Sequence, residues 1–325
     1  MLFAGNEQQR AYIDATIPAL PTVHLDGYNV HYASRKSMFM PAIIKQVPGM
    51  LSTIKQEHEW LKGIVANHKI DVVISDNRYG LHHDYIPSVI MTHQLQVQTG
   101  LGQTTDNIFR KLHYRYLEKF DECWVVDVAE APGLAGSLSH TQKLQKKTGY
   151  IGLLSQQTPL SNTDNDYLLV LLSGPEPQRT ILSDKIWAQL QDYKFPIVFV
   201  EGSNNIQPRN QIPEHITYHK QLTKDELSNV FRNAGMVICR SGYSTIMDLL
   251  RMGKKAILIP TPGQTEQEYL GRILQEHCMF ICQEQSGFNL AKVIEQTRCF
   301  PFLTHHLEHH FDDYKAVVDK CLDKI

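Results

Sequence analysis

Short, unbroken apolar runs set the rhythm of the second half of this chain. Tyr167–Leu172, Ile197–Val200, Ile216–Tyr218, Met236–Cys239, Ala256–Ile259 and Met279–Cys282 are each bounded by polar or turn-forming residues. Runs of that length without alternation mark strands buried on both faces of a parallel sheet. Helical periods fill the gaps, from Arg179 to Gln191, over Lys224–Asn233, after Gly242 and over Leu290–Thr297. The first half repeats the rhythm less cleanly, with strands expected at Met1–Gly5, Thr22–Leu25, Asp71–Ser75, Ser88–Thr92, Cys123–Val126 and Thr148–Leu154. Helices are expected over Ser37–His68, punctuated by Pro41 and Pro48, and over Thr105–Phe120. In the first of these, Leu51, Ile54, Trp60, Leu61, Ile64 and Val65 form an apolar stripe. The alternation predicts an α/β protein of two doubly wound, Rossmann-like domains with about six parallel strands each.

Composition places the boundary between them. A stretch rich in Gln, Ser, Thr, Asn and Asp interrupts the pattern after Leu154. It divides residues 1–155 from residues 167–303 by a linker over 156–166. Residues 304–325 are expected to form a C-terminal helix that packs back on the first domain. At 325 residues the chain has length for two cores, and 42% hydrophobic content suits a globular protein. A formal charge of −2, from 32 basic and 34 acidic residues, gives no global field for nucleic acid or anionic lipid. Lys143, Lys146 and Lys147 offer only a local basic patch, and no nucleic-acid partner is expected. Cys123, Cys239, Cys278, Cys282, Cys299 and Cys321 are scattered, which suits reduced cysteines in a cytoplasmic protein. Met38, Phe39, Met40, Ile43 and Ile44 carry little acid among them, so that stripe either packs in the core or makes peripheral membrane contact.

Two metal-like strings are set aside. Asp164-Asn165-Asp166 matches the acid-x-acid pattern of metal-dependent sugar transferases but lies in the polar linker. In the tail, His305/His309 and His306/His310 are spaced to share a helix face, which reads better as a solvated face than as a ligand cluster. No metal site is expected.

Candidate chemistry concentrates between Gly235 and Gly271. The run Met236–Cys239 ends in Arg240-Ser241-Gly242, and a helix follows that begins with Tyr243, Ser244 and Thr245. A helix start outside the carboxyl end of a parallel strand holds an anionic group well. Asp248 lies six residues beyond Gly242, within reach of a ribose diol. The alternative is an ordinary helix cap in an α/β layer. Ser173 to Arg179 makes a second junction of small residues, able to add phosphate donors. In the first half, Asp76, Asn77, Arg78, Tyr79 and Gly80 bunch at the end of one strand, as ligand contacts or as a turn. Another strand runs into His93 and Gln94.

Arg240-Ser241-Gly242 with Ser244, Thr245, Asp248, Gly253-Lys254, Ile259-Pro260 and Gln264 to Glu268 resembles the C-terminal domain of GT-B-fold glycosyltransferases. The peptidoglycan N-acetylglucosaminyltransferase type is the nearest, and the match extends upstream over Leu171 to Arg179. The resemblance implies a UDP-sugar donor site. Gly242, Tyr243, Ser244 and Thr245 would hold the diphosphate and Asp248 the ribose hydroxyls. Gln267 and Glu268 would contact the sugar, with glutamate at a position commonly glutamine. Gly174 to Arg179 would form a first phosphate loop, in which Pro175 and Pro177 lack N–H donors. Thr92-His93-Gln94 and Asp76 to Gly80 align with the acceptor side. Family members also open with a strand, a histidine-bearing Gly-rich loop and a helix, about thirty residues as one βα unit. This chain begins at what reads as the second strand, as a shortened gene product would.

The resemblance further implies an inverting, metal-independent transfer without a cofactor, with His93 as the available base. The acceptor would be a sugar, a lipid-linked or a small molecule. Rival readings are a UDP-N-acetylglucosamine 2-epimerase and a protein that only binds a nucleotide sugar, alone or with a partner subunit.

Overall fold

The computed structural model describes residues 1–28, 36–141, 147–158, 167–191, 193–203, 209 and 211–323. Lys143, Lys146, the Asp164–Asp166 string and the side chains of residues 38–44 and His306 lie outside that description. Every strand pairing in it is parallel.

In the second half, strands β7 (Leu168–Leu171), β8 (Ile197–Val200), β9 (Ile216–His219), β10 (Met236–Cys239), β11 (Ala256–Leu258) and β12 (Ile281–Cys282) form one sheet of order 12-11-10-7-8-9. Helices α4 (Gln178–Leu190), α5 (Lys224–Asn233), α6 (Tyr243–Arg251), α7 (Thr265–Glu276) and α8 (Leu290–Thr297) join and cover them. Continuous apolar strands are what such a covered sheet demands. Val170, Ile238 and Ile257 are fully buried on one face, and Leu169, Val237 and Leu258 on the other.

The first half departs from the six-stranded expectation. Strands β3 (Val73–Asp76), β4 (Ser88–Thr92), β5 (Glu122–Val125) and β6 (Thr148–Tyr150) form a four-stranded sheet. The two short strands β1 (Phe3–Gly5) and β2 (Thr22–His24), joined by α1 (Glu7–Thr16), pair only with each other. Packing, not a hydrogen-bond ladder, ties the pair to the rest. Leu25, just past β2, joins Leu61, Val73 and Leu81 in a small core under α2 (Lys36–Asn67), which runs through both prolines. The helix α3 (Gln103–Leu117) covers the sheet beside Ile90, Phe120 and Val125. No helix of the described residues is long and apolar enough to cross a membrane.

A buried carboxylate closes the first sheet toward the second. Asp127, with no solvent exposure, accepts hydrogen bonds from the N–H groups of Val128 (2.8 Å), Leu134 (2.8 Å) and Ala135 (2.9 Å), and from Ser139 Oγ (2.5 Å). The loop after β5 is thereby wound around a single side chain. Gly133 is left-handed there (φ +63), and a Cβ on it would fall 2.6 Å from the Asp127 carboxylate.

The last strand of the first half stops at Tyr150 rather than Leu154. At Gly152 (φ +76) the chain bends away, and Leu153 N donates to His310 O of the tail at 3.0 Å. The tail is likewise not one helix. A 3-10 segment over His305–Asp312 precedes α9 (Tyr314–Leu322). Three residues per turn align positions three apart instead of four. The histidines accordingly pair with acids at that spacing, His305 with Glu308 and His310 with Asp313, both at 2.7 Å.

One hydrophobic core runs through both halves. Val89, Trp124, Leu138 and Leu153 of the first half belong to the same cluster as Ile246, Met247, Leu270 and Phe311 of the second. That shared packing fixes where the carboxyl ends of the two sheets meet.

Candidate functional site

The order of the second sheet places its crevice. From β7 the chain runs outward through β8 and β9, then returns to the other side of β7 as β10 and continues to β11 and β12. The β7/β10 neighbours are therefore the switch point, where loops at the strand ends diverge and leave space for a ligand. A cavity of about 310 Å³ opens there. Leu171, Leu222, Leu227 and Phe231 form its apolar wall, and Ser173, Gly202, Gln157, Gln221, Thr245 and Asp248 supply its polar groups. Among the described lining residues only Asp248 carries a formal charge at neutral pH.

Three helix starts face the same side. Side chains cap three of the other helices, Asn6 for α1, Thr223 for α5 and Asn289 for α8, whereas α3 and α9 have no such cap. The helices α4, α6 and α7 follow the adjacent strands β7, β10 and β11, and none has a side-chain cap. The positive ends of three helix dipoles thus lie at one edge of the sheet, with N–H groups open at the starts of α6 and α7, while at α4 Glu176 Oε2 accepts from Thr180 N at 3.2 Å. Gly242 keeps the α6 start open, since a Cβ built on it would meet nothing nearer than Thr245 Oγ1 at 4.0 Å. Ser244 is exposed at that start. Gly174 (φ +99) lies beside the buried Thr261 hydroxyl, 3.8 Å from the Cβ that the glycine lacks.

The half-buried Asp248 accepts a hydrogen bond from Ser155 Oγ at 2.5 Å through Oδ1. Burial pushes its carboxyl above the ordinary range, and the Ser155 hydroxyl works against that shift.

Several of the other sequence candidates shape the site through their backbone partners. The Arg240 guanidinium is buried and donates to the carbonyls of Ile259 (3.2 Å), Pro260 (3.1 Å) and Gln178 (2.7 Å). It clamps the loops after β11 and β7 together, and desolvation pulls its pKa down to about 10. Arg179 donates to Gly202 O at 2.9 Å and pairs with Glu176. Ser241 Oγ donates to Gln267 O at 2.8 Å. Gln267 Oε1 accepts from Thr261 N (3.0 Å), and Glu268 Oε1 accepts from Gly263 N (2.9 Å). These two side chains therefore brace the loop between β11 and α7. Gln264 opens α7 through its backbone carbonyl, which Glu268 N reaches at 2.9 Å.

Tyr243 turns its side chain away from the helix start. Its buried hydroxyl donates to Val126 O of the first half at 2.8 Å, and its ring stacks on His93 with centroids 4.4 Å apart. His93 Nε2 in turn meets Glu266 Oε1 at 2.9 Å. Thr265 Oγ1 donates to Gln98 O (2.6 Å), and Ser137 N donates to Tyr269 OH (2.7 Å), so α7 is latched to the first half along its length. Replacing Tyr243 with phenylalanine keeps the stack and orphans one buried carbonyl. We expect a loss of about 1 kcal/mol in urea unfolding with an unchanged denaturant slope. Full stability in that variant would mean the hydroxyl bond is not made.

The acceptor-side candidates separate into two groups. Arg78 Nε donates to the buried Glu57 (2.9 Å), which also takes Tyr28 OH (3.0 Å) and Gly80 N (3.2 Å). Tyr79 OH meets His113 Nδ1 at 2.9 Å. Both side chains belong to the framework of the first half. Asp76, Asn77, His93 and Gln94 stand at the carboxyl ends of β3 and β4, facing the second half through His93. Asn77 holds a left-handed backbone (φ +54), a strained geometry for a residue other than glycine. The carboxyl of Asp76 is pushed up by burial, with His93 opposing. Ser155, Gln157, Gln221 and Leu222 were not legible as site residues. Their only sequence signals were a polar linker and ordinary helix-flanking positions.

Residues 176–300 match the glycosyltransferase family 28 C-terminal domain. A UDP-N-acetylglucosamine–N-acetylmuramyl-(pentapeptide) pyrophosphoryl-undecaprenol N-acetylglucosamine transferase of Caldanaerobacter subterraneus subsp. tengcongensis is 25% identical over 141 residues. That alignment takes in 40% of this chain and only 38% of the relative's length. The whole fold is similar to spinosyn rhamnosyltransferase SpnG (TM-score 0.63, 14% identity, 99% of this chain and 91% of that one). It is similar also to MurG of Acinetobacter baumannii (TM-score 0.55, 14% identity, 98% of this chain and 88% of that one). Residues 176–300 thus match a glycosyltransferase family 28 C-terminal domain, in a chain whose four- and six-stranded parallel sheets have the GT-B arrangement.

Proposed function

We propose that this protein transfers a sugar from a UDP-sugar to an acceptor hydroxyl, with inversion and without a metal or other cofactor. The observation that carries the reading is the pairing of an apolar cavity holding one carboxylate, Asp248, with the uncapped start of α6 beside it. A cavity of about 310 Å³ suits a nucleoside, and Asp248 suits its diol. The diphosphate then lies across the N–H groups of Tyr243, Ser244 and Thr245 and the loop at Gly174. The acceptor oxygen attacks the anomeric carbon as the bond from that carbon to the β-phosphate oxygen breaks. The departing UDP keeps the electron pair, and the helix starts stabilise the charge it gains. His93 is the base we assign. With Nε2 held by Glu266, Nδ1 is the nitrogen that takes the proton. Gln267 and Glu268 read the donor sugar from the loop they brace.

The donor and lipid-linked acceptor named for the Caldanaerobacter relative are the first to test. Calorimetry with UDP and UDP-N-acetylglucosamine in the presence of a chelator, beside an assay of UDP release, is expected to give binding of both and acceptor-dependent release. An absence of UDP binding would end the nucleotide-sugar reading altogether. Binding without turnover leaves a nucleotide-sugar-binding protein, and conversion of the sugar without any acceptor identifies the 2-epimerase.

A further inference from the structure

The single carboxylate of the cavity is held by a residue from outside the second half. Ser155 lies beyond β6 and the bend at Gly152, where the chain leaves the first half. Its Oγ donates to Asp248 Oδ1 at 2.5 Å and accepts from Gln157 N at 3.0 Å. A serine hydroxyl has one proton and two lone pairs, and an ionised carboxylate only accepts. The direction of the relay is therefore fixed, from the Gln157 N–H to the Ser155 hydroxyl to Asp248. Gln157 also lines the cavity, so the relay and the ligand space share a wall.

Among the described residues, Ser155 is the one side chain hydrogen-bonded to Asp248. Among the described lining residues the only other titratable side chain is Cys239, whose thiol burial pushes up to about 12 and so keeps neutral. Among the described residues, no lysine, arginine or histidine lines the cavity. Burial acts to protonate Asp248, and the Ser155 hydroxyl is the group that favours its charged form.

We propose that Ser155 is a positioning residue for the donor nucleoside. It engages Oδ1 of Asp248, leaves Oδ2 to the ribose diol, and makes the segment that joins the two halves part of nucleotide recognition. The proposal rests on the reading of this cavity as a nucleoside-diphosphate site.

The test is calorimetry of wild type, Ser155→Ala and Ser155→Thr with UDP and with its dideoxy analogue lacking both ribose hydroxyls, from about pH 5 to about pH 8. Ser155→Ala is expected to bind UDP about tenfold more weakly at neutral pH. Removing a bond that favours the charged carboxylate raises its pKa, so acid loss of UDP affinity should begin at a higher pH than in wild type. Ser155→Thr, which keeps the hydroxyl, should restore most of the affinity. The dideoxy analogue should bind wild type and Ser155→Ala equally. If Ser155→Ala does not fold, Ser155→Cys keeps the volume with a weak donor and serves the same comparison. An unchanged UDP affinity and pH profile overturns the proposal. So does an equal loss with both nucleotides, which would assign Ser155 to holding the halves together. Wild type that binds neither nucleotide removes the nucleoside site itself, and the proposal with it.

Discussion

Asp127→Ala is expected to lower the unfolding free energy by about 3–5 kcal/mol. The carboxylate is fully buried and takes three backbone N–H groups and one hydroxyl. Alanine leaves all of those donors without a partner, inside packing that admits no obvious replacement. An orphaned buried N–H group costs about 1–3 kcal/mol, so even partial relaxation leaves a large loss. The damage would also spread. The wound loop presents Ser137 to Tyr269, and the carbonyl that Tyr243 reaches, Val126 O, immediately precedes Asp127. Asp127→Asn should fall between the two, because one oxygen still accepts while the new amide N–H faces donors. Urea unfolding of the three proteins measures this directly. A loss below about 1 kcal/mol for the alanine variant would mean the loop finds other partners.

Asp248→Ala should cost about 2–3 kcal/mol of UDP binding, or roughly 30- to 150-fold in affinity, if the carboxylate accepts both ribose hydroxyls. Stability should move differently. Burial raises the carboxyl of Asp248 above its unfolded value, so the folded protein holds that proton more tightly. The ionised side chain then opposes folding above the raised value and has no such effect below the unfolded one. Relative to wild type, the alanine variant should therefore be no less stable at neutral pH, and comparatively less favoured in acid. A residue that weakens the fold and strengthens ligand binding is retained for the ligand. Matched calorimetry and thermal melts decide it. Unchanged UDP affinity would remove Asp248 from the ribose, whereas a fall in melting temperature equal to that of a core deletion would make it structural.

The second half was largely readable because its strands are buried on both faces. Leu168–Leu171, Ile197–Val200 and Met236–Cys239 have to be apolar throughout, and that pattern survives without knowledge of neighbours. In β3, burial alternates between buried and exposed, and β1 and β2 are only half-buried, so the sequence reveals strands there but not which of them pair. The tail was read with a period of four because helices usually have it, and a 3-10 segment leaves too little sequence signal to say otherwise.

At the site, the start of α6 was legible from small residues following an apolar run. The roles of the flanking side chains were not. Arg240 belongs to the motif that resembles a donor site, yet its partners are carbonyls of two loops, one of them at Gln178. His93 and Glu266 are 173 residues apart in the chain. No local pattern encodes such a pair; only the docking of the two sheets brings it together.

The shared core has a consequence for the timing of the proposed transfer. Opening the two sheets like a book would expose Trp124, Leu138, Ile246 and Met247 to water at once. In the proposed transfer, wide separation would then be a rare, slow excursion rather than a routine step of each turnover. Nucleotide exchange would then fall to the smaller pieces at the rim, the loop braced by Gln267 and Glu268 and the segment at Ser155, each held by a few hydrogen bonds. The tempo of product release would be written in those few bonds, and the sheets would serve as the fixed frame against which they move.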